Sequence, residues 1–96
     1  MNETIDELTV NYEDKGLLVI KELDKVILSR GAWTTILFRF QEWKPALNGY
    51  GPDKYTIRRY HKVNGEYRYQ SKFTISSADQ AAKIIEALQG WIGVTK

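Results

Sequence analysis

Within residues 54–72 six cations, Lys54, Arg58, Arg59, Lys62, Arg68 and Lys72, stand against one acid, Glu66. Ten of the twelve aromatic residues fall between Trp33 and Phe73. Phosphates need cations and unpaired bases need flat surfaces to stack on, so a segment both basic and aromatic suits single-stranded nucleic acid. The plainer explanation is structural: aromatic residues fill strands, and exposed sheet faces carry Lys and Arg against aggregation. Pairing across strands would then need acids, and the segment has too few of them.

Other chemistries find little support. The chain has no Cys, hence no disulfide framework, no thiolate site and no Cys nucleophile. The one His, His61, has no second His or Cys near it in sequence, so a metal role is not expected. Ser29, Ser71, Ser76 and Ser77 lack the Gly-x-Ser-x-Gly setting of a hydrolase nucleophile. Glu42, Glu66 and Asp79 suggest no carboxylate pair, and Gly49-Tyr50-Gly51 is too short for a phosphate loop. The expectation is a protein that is not an enzyme and takes no metal and no small-molecule cofactor.

Charge divides along the chain. Residues 1–24 hold seven acids and two bases, whereas residues 25–96 hold twelve bases and five acids. Such asymmetry suits a polyanionic partner for the basic part. Ninety-six residues allow one core, divided here into an acidic, loosely attached arm over residues 1–15 and a single domain over residues 16–96. The longest apolar runs, Leu17–Ile20 and Ile36–Phe38, are far short of a membrane span, and no leader pattern opens the chain. A cytoplasmic location and no membrane partner are expected.

Four strands and a helix must position the cations. Residues 17–29 are apolar and β-branched and form one long, kinked strand or two short ones. After the Arg30-Gly31 turn, Trp33–Trp43 forms a second strand. Its parity puts Ile36, Phe38 and Phe40 on a core face and Arg39, Gln41 and Trp43 on a polar one. Lys44–Asp53 is a loop rich in Pro, Asn and Gly. Lys54–Val63 and Glu66–Ile75 flank Asn64-Gly65, a strong hairpin signal. Ser76 or Ser77 caps a helix whose apolar stripe runs through Ala78, Ala81, Ala82, Ile85, Leu88 and Ile92, with Gly90 as its stop.

The expected fold is α+β, an antiparallel four-stranded sheet followed by one C-terminal helix (β-β-β-β-α). The helix covers one sheet face, and the other meets water. Strand by strand, the polar sides are Arg39/Gln41/Trp43, Lys54/Thr56/Arg58/Tyr60 and Arg68/Gln70/Lys72/Thr74. Gathered on the open face, Arg39, Lys54, Arg58, Arg68 and Lys72 would hold phosphates. Trp43 and Tyr60 would stack bases, and Gln41, Thr56 and Gln70 would offer hydrogen bonds. Arg59 and His61 fall on the apolar parity and do not fit this scheme. A function of another class, docking of an acidic protein partner on the same face, is the alternative.

Lys54-Tyr55-Thr56-Ile57-Arg58-Arg59-Tyr60, followed by a turn and by Ser71-Lys72-Phe73-Thr74-Ile75-Ser76 leading into a helix, resembles the C-terminal domain of the positive-cofactor-four transcriptional coactivators and their bacterial relatives. The resemblance spans about residues 17–92 and is closest around Ile57-Arg58 and Thr74-Ile75-Ser76. It implies a Whirly-like domain with a curved sheet that holds single-stranded DNA, a homodimer, and a role in transcription or DNA maintenance. It matches Arg58 and Arg39 to DNA-contacting arginines and places Trp43 near a stacking aromatic. Where relatives often carry Lys-Gly before the final apolar pair, this chain has Ser71-Lys72, and its Lys44–Asp53 loop is longer. The purine-rich-element-binding proteins, which also bind single strands, share a similar β-β-β-β-α unit.

Overall fold

The computed structural model describes residues 4–93, so the outermost ends of the expected arm and domain lie outside the described residues. The strands are β1 (Tyr12–Asp14), β2 (Leu17–Ser29), β3 (Trp33–Lys44), β4 (Gly49–Tyr50), β5 (Lys54–Val63) and β6 (Glu66–Ile75). One helix, α1 (Ala78–Ile92), follows. The sheet is antiparallel in the order β1-β2-β3-β5-β6, with β4 pairing the end of β3. The fold is α+β with a C-terminal helix, but the sheet has six strands rather than four. The additions are short: β1 turns back onto β2 through Lys15-Gly16, and β4 lies inside the expected 44–53 loop.

Turn chemistry sets the hairpins. Asn64 and Gly65 both take positive φ, 53° and 80°, the combination that matches a two-residue turn to the twist of its strands. Residues 17–29 form one strand, bent where its register against β3 shifts at Glu22/Asp24 and Ile27/Ser29. Ser77 caps α1 by accepting the Gln80 backbone N–H at 3.1 Å. The helix runs through Gly90 and ends at Gly93, whose φ of 70° closes the last turn.

The core lies on one side of the sheet, here the inner face. Thr34, Ile36, Phe38 and Phe40 alternate along β3 and are buried, with Tyr60 of β5 beside them. Leu8 and Val10 cover them, at 1% and 3% exposure. The acidic N-terminal stretch is therefore not a loose arm. Its acids Asp6 and Glu7 face solvent while its few apolar residues close the core. Lys25 donates to the carbonyls of Asp6 and Leu8 at 3.0 and 2.7 Å, and Asn11 accepts the Glu22 backbone N–H at 2.7 Å. A second correction concerns α1: it has no buried residue, and its principal packing is against β6. The N-terminal segment does the covering expected of the helix.

Leu8→Ala should lower the unfolding free energy by about 2–5 kcal/mol, the usual cost of emptying a fully buried Leu site. Urea denaturation measures it; an unchanged midpoint would mean the segment is not part of the core.

Candidate nucleic-acid interface

Directly opposed residues of antiparallel strands share a face, so register decides which cations meet. Phe40 lies opposite Lys54, Phe38 opposite Thr56, Ile36 opposite Arg58 and Thr34 opposite Tyr60. The basic side of β5 thus continues the apolar side of β3. Arg39 lies opposite Tyr55 on the other, outer face, where parity also puts Gln41 and Trp43. The expectation of one open face collecting all three polar sides is overturned by this register: a slip of one residue would have been needed to join them.

Between β5 and β6 the expected pairing holds at first and then changes. Thr56 lies opposite Thr74 and Arg58 opposite Lys72, all on the inner face. The register then shifts between Arg59 and Tyr60, so that Tyr60 meets Tyr69, His61 meets Arg68 and Lys62 meets Tyr67. Arg68 is thereby turned to the outer face, Gln70 sits at the bulge, and Tyr67 and Tyr69 join the inner one. Of the ten expected site residues, the inner face brings together Lys54, Thr56, Arg58, Tyr60 and Lys72.

Burial separates these five further. Thr56 and Tyr60 are 2% and 3% exposed, so neither presents a surface to a base. The Thr56 hydroxyl donates to the Phe73 carbonyl at 3.2 Å. Tyr60 packs in the core, and burial raises its pKa above the ordinary tyrosine value while the Arg58 side chain, first through its contact with the hydroxyl and then through its charge, opposes the rise. The exposed ring is Tyr69, at 51%, with the Arg58 guanidinium 5.0 Å from its centroid. Lys62 lies 5.4 Å from the Tyr67 ring. Parity counting missed Tyr67 and Tyr69 because nothing in Tyr69-Gln70-Ser71 signals a bulge.

Arg58, Lys62 and Lys72 make no ion pair among the described residues, whereas Lys54 is held by Glu42 at 3.0 Å. A hollow of about 70 Å³ runs beside Arg58, Lys72, Thr56 and Thr74 and is walled by Val10, Ile20, Phe40 and the carboxylate-bearing Glu42. The ledge along β5 and β6 is therefore cationic, edged by rings and bounded on one side by the N-terminal segment. On the outer face, Arg39 pairs with Asp53 at 3.1 Å, Gln41 donates to the same carboxylate at 2.9 Å, and Trp43 meets the edge of Tyr50 at 5.3 Å. These three are occupied by each other's neighbours rather than by the ledge.

No group of His, Asp and Glu side chains among the described residues is arranged to hold a metal ion, and no described helix is long and apolar enough to cross a membrane. No family model, curated protein or solved structure matches the chain.

Glu42 anchors the end of the ledge. Its pKa lies below the ordinary 4.5, chiefly because Lys54 donates to it, with Lys44 adding a weaker contact at 3.3 Å and burial opposing both. A carboxyl with a depressed folded pKa contributes stability above its unfolded pKa and loses it as pH falls through the folded one. Glu42→Gln should therefore flatten the loss of stability between about pH 5 and pH 3 in urea titrations, and a curve parallel to the parent's would exclude the pairing from the acid response.

Proposed function

We propose that the chain binds single-stranded nucleic acid, DNA in the first instance, without catalysis, along the inner ledge of β5 and β6. The observation that carries this reading is Arg58, opposite Lys72 in register and resting on the exposed ring of Tyr69, with neither cation engaged by an acid among the described residues. Arg58 and Lys72 hold phosphates, Lys62 extends the path towards the Asn64-Gly65 turn, and Tyr69 stacks a base. Lys54 contributes less, because Glu42 already answers its charge. Stacking on one ring is worth about 1–3 kcal/mol and tolerates any base, so binding is broad in sequence. A service in transcription or DNA maintenance, and a homodimeric binding unit, accord with the resemblance of the Lys54–Tyr60 and Ser71–Ser76 segments to the positive-cofactor-four and Whirly-like domains.

The neighbouring residue provides the control. Arg59 carries the same charge one position along β5 but lies on the outer face, 4.5 Å from the Trp33 ring. In fluorescence titrations with labelled oligo-dT, Arg58→Gln should weaken binding and reduce the slope of log K against log salt by about 0.7. Arg59→Gln should leave both nearly unchanged, and Tyr69→Ala should cost about five- to 150-fold in affinity. Equal losses from Arg58→Gln and Arg59→Gln would reduce the effect to net charge. Losses from Arg39→Gln alone would move the interface to the outer face. Binding of an acidic peptide but not of oligo-dT at low salt would replace nucleic acid with a protein partner.

A further inference from the structure

Tyr60 carries a hydroxyl that its packing does not need. The ring is 3% exposed and belongs to the core with Ile36 and Phe38, where a phenylalanine would fill nearly the same space. The hydroxyl itself is buried, and a buried hydroxyl without a full hydrogen bond is a cost to folding. Its neighbour across β3, Thr34, already donates its own hydroxyl to the Gly31 carbonyl at 3.0 Å. The polar group left beside it is Arg58, two positions back on the same face of β5. Arg58 Nε is buried too, without a hydrogen-bond partner among the described residues. Burial raises the Tyr60 pKa, and the contact of the Arg58 side chain with the hydroxyl opposes the rise, which places the two groups side by side.

The bulge between β5 and β6 brings a third side chain to this pair. Pairing is regular as far as Arg59 and Ser71, and continued in step it would set Gln70 opposite Tyr60. The shift sets Tyr69 there instead, its ring 6.2 Å from that of Tyr60 and inclined to it by 62°. The Arg58 guanidinium lies 5.0 Å from the centre of the Tyr69 ring, which draws the three side chains into one cluster. Tyr60 thus adjoins the Nε edge of the guanidinium and Tyr69 adjoins its carbon, while Arg58 makes no ion pair among the described residues.

We infer that Tyr60 is a positioning residue for the ledge: when the terminal nitrogens of Arg58 take up a phosphate, its Nε–H closes on the Tyr60 hydroxyl. Binding then completes a contact that folding leaves short of a hydrogen bond. This rests on the reading of the ledge as a site for single-stranded nucleic acid, and it gives a role there to a core residue that the strand does not touch. The chemistry requires arginine. A guanidinium carries five N–H donors in one plane, so Nε can be held by a hydroxyl while the two terminal nitrogens meet a phosphate together. A lysine has a single nitrogen and no second edge to hold.

Tyr60→Phe in the full chain tests this, by oligo-dT titration and by urea denaturation. Affinity should fall about three- to tenfold, the worth of one hydrogen bond completed only in the complex. The slope of log K against log salt should not change, because no charge is removed. The unfolding midpoint should hold or rise, since the free chain loses only an unsatisfied hydroxyl. Arg58→Lys supplies the second arm: it keeps the charge but has no Nε, so adding Tyr60→Phe to it should alter affinity by less than about twofold. Three results would overturn the inference and leave the ledge standing: unchanged affinity in Tyr60→Phe while Arg58→Gln still weakens binding, an equal loss from Tyr60→Phe in the Arg58→Lys chain, or affinity and midpoint falling together, which would make Tyr60 merely structural. An Arg58→Gln chain that binds oligo-dT as the parent does would remove the ledge reading and this inference with it.

Discussion

The register of β3 against β5 is the constraint on which the remaining architecture depends. With Phe38 opposite Thr56 and Ile36 opposite Arg58, the apolar side of one strand and the basic side of the next share a face. That face must serve two purposes. Over β2 and β3 it carries the core, closed by Leu8 and Val10; over β5 and β6 it carries cations and rings. A shift of one residue would turn every β5 side chain to the opposite side, exposing Tyr60 and sending Ile57 under the N-terminal segment. The ledge, the core and the uncovered outer row are therefore consequences of one pairing.

Strand and helix content was legible because it rests on local chemistry. The Asn64-Gly65 hairpin, the Ser77 cap and the alternation of Ile36, Phe38 and Phe40 all occur where side-chain types indicate. What depended on length and not on type was not legible. The loop between β3 and β5 contains the small strand β4, and its length fixes whether Arg39 or Phe40 faces Lys54's side. The bulge opposite Arg59/Tyr60 exchanges Arg68 for Tyr69 without a glycine to announce it. The attachment of the N-terminal stretch is hard to read for a related reason: aliphatic residues such as Ile5, Leu8 and Val10 scattered among acids give almost no periodicity, yet burial of Leu8 and Val10 is enough to close a small core.

The cationic ledge and the outer face also differ in how their charges are spent. Outside the ledge, Arg39 is neutralised by Asp53, and Arg59 lies against Trp33, itself stacked on His61 at 4.1 Å. These contacts tie charges to the sheet's own surface, where exposed pairs contribute little to stability. Arg58, Lys62 and Lys72 are placed over rings or in the open, an arrangement that leaves their charges available. Sequence counts of cations cannot distinguish the two, because the distinction is made by which acid each register brings within reach.

Arg58 sharpens the contrast. Its Nε is buried without a hydrogen-bond partner among the described residues, and the Tyr60 hydroxyl has only the Arg58 side chain near it. A buried donor left so forfeits hydration, a cost of about 1–3 kcal/mol that apolar packing nearby must offset. Replacing Arg58 by an aliphatic residue would remove the expense and extend the core, so stability alone gives no reason for a guanidinium there. A guanidinium 5.0 Å from the centre of an exposed ring, beside a second cation and at the mouth of a hollow, is instead suited to meet an anion, because part of its desolvation has already occurred on folding. The outer row differs: Val26, Leu37, Ile57 and Phe73 present no charge, only apolar area. One sheet thus carries the unpaired cations of the ledge on one face and its apolar row on the other, and the division follows from register rather than from composition.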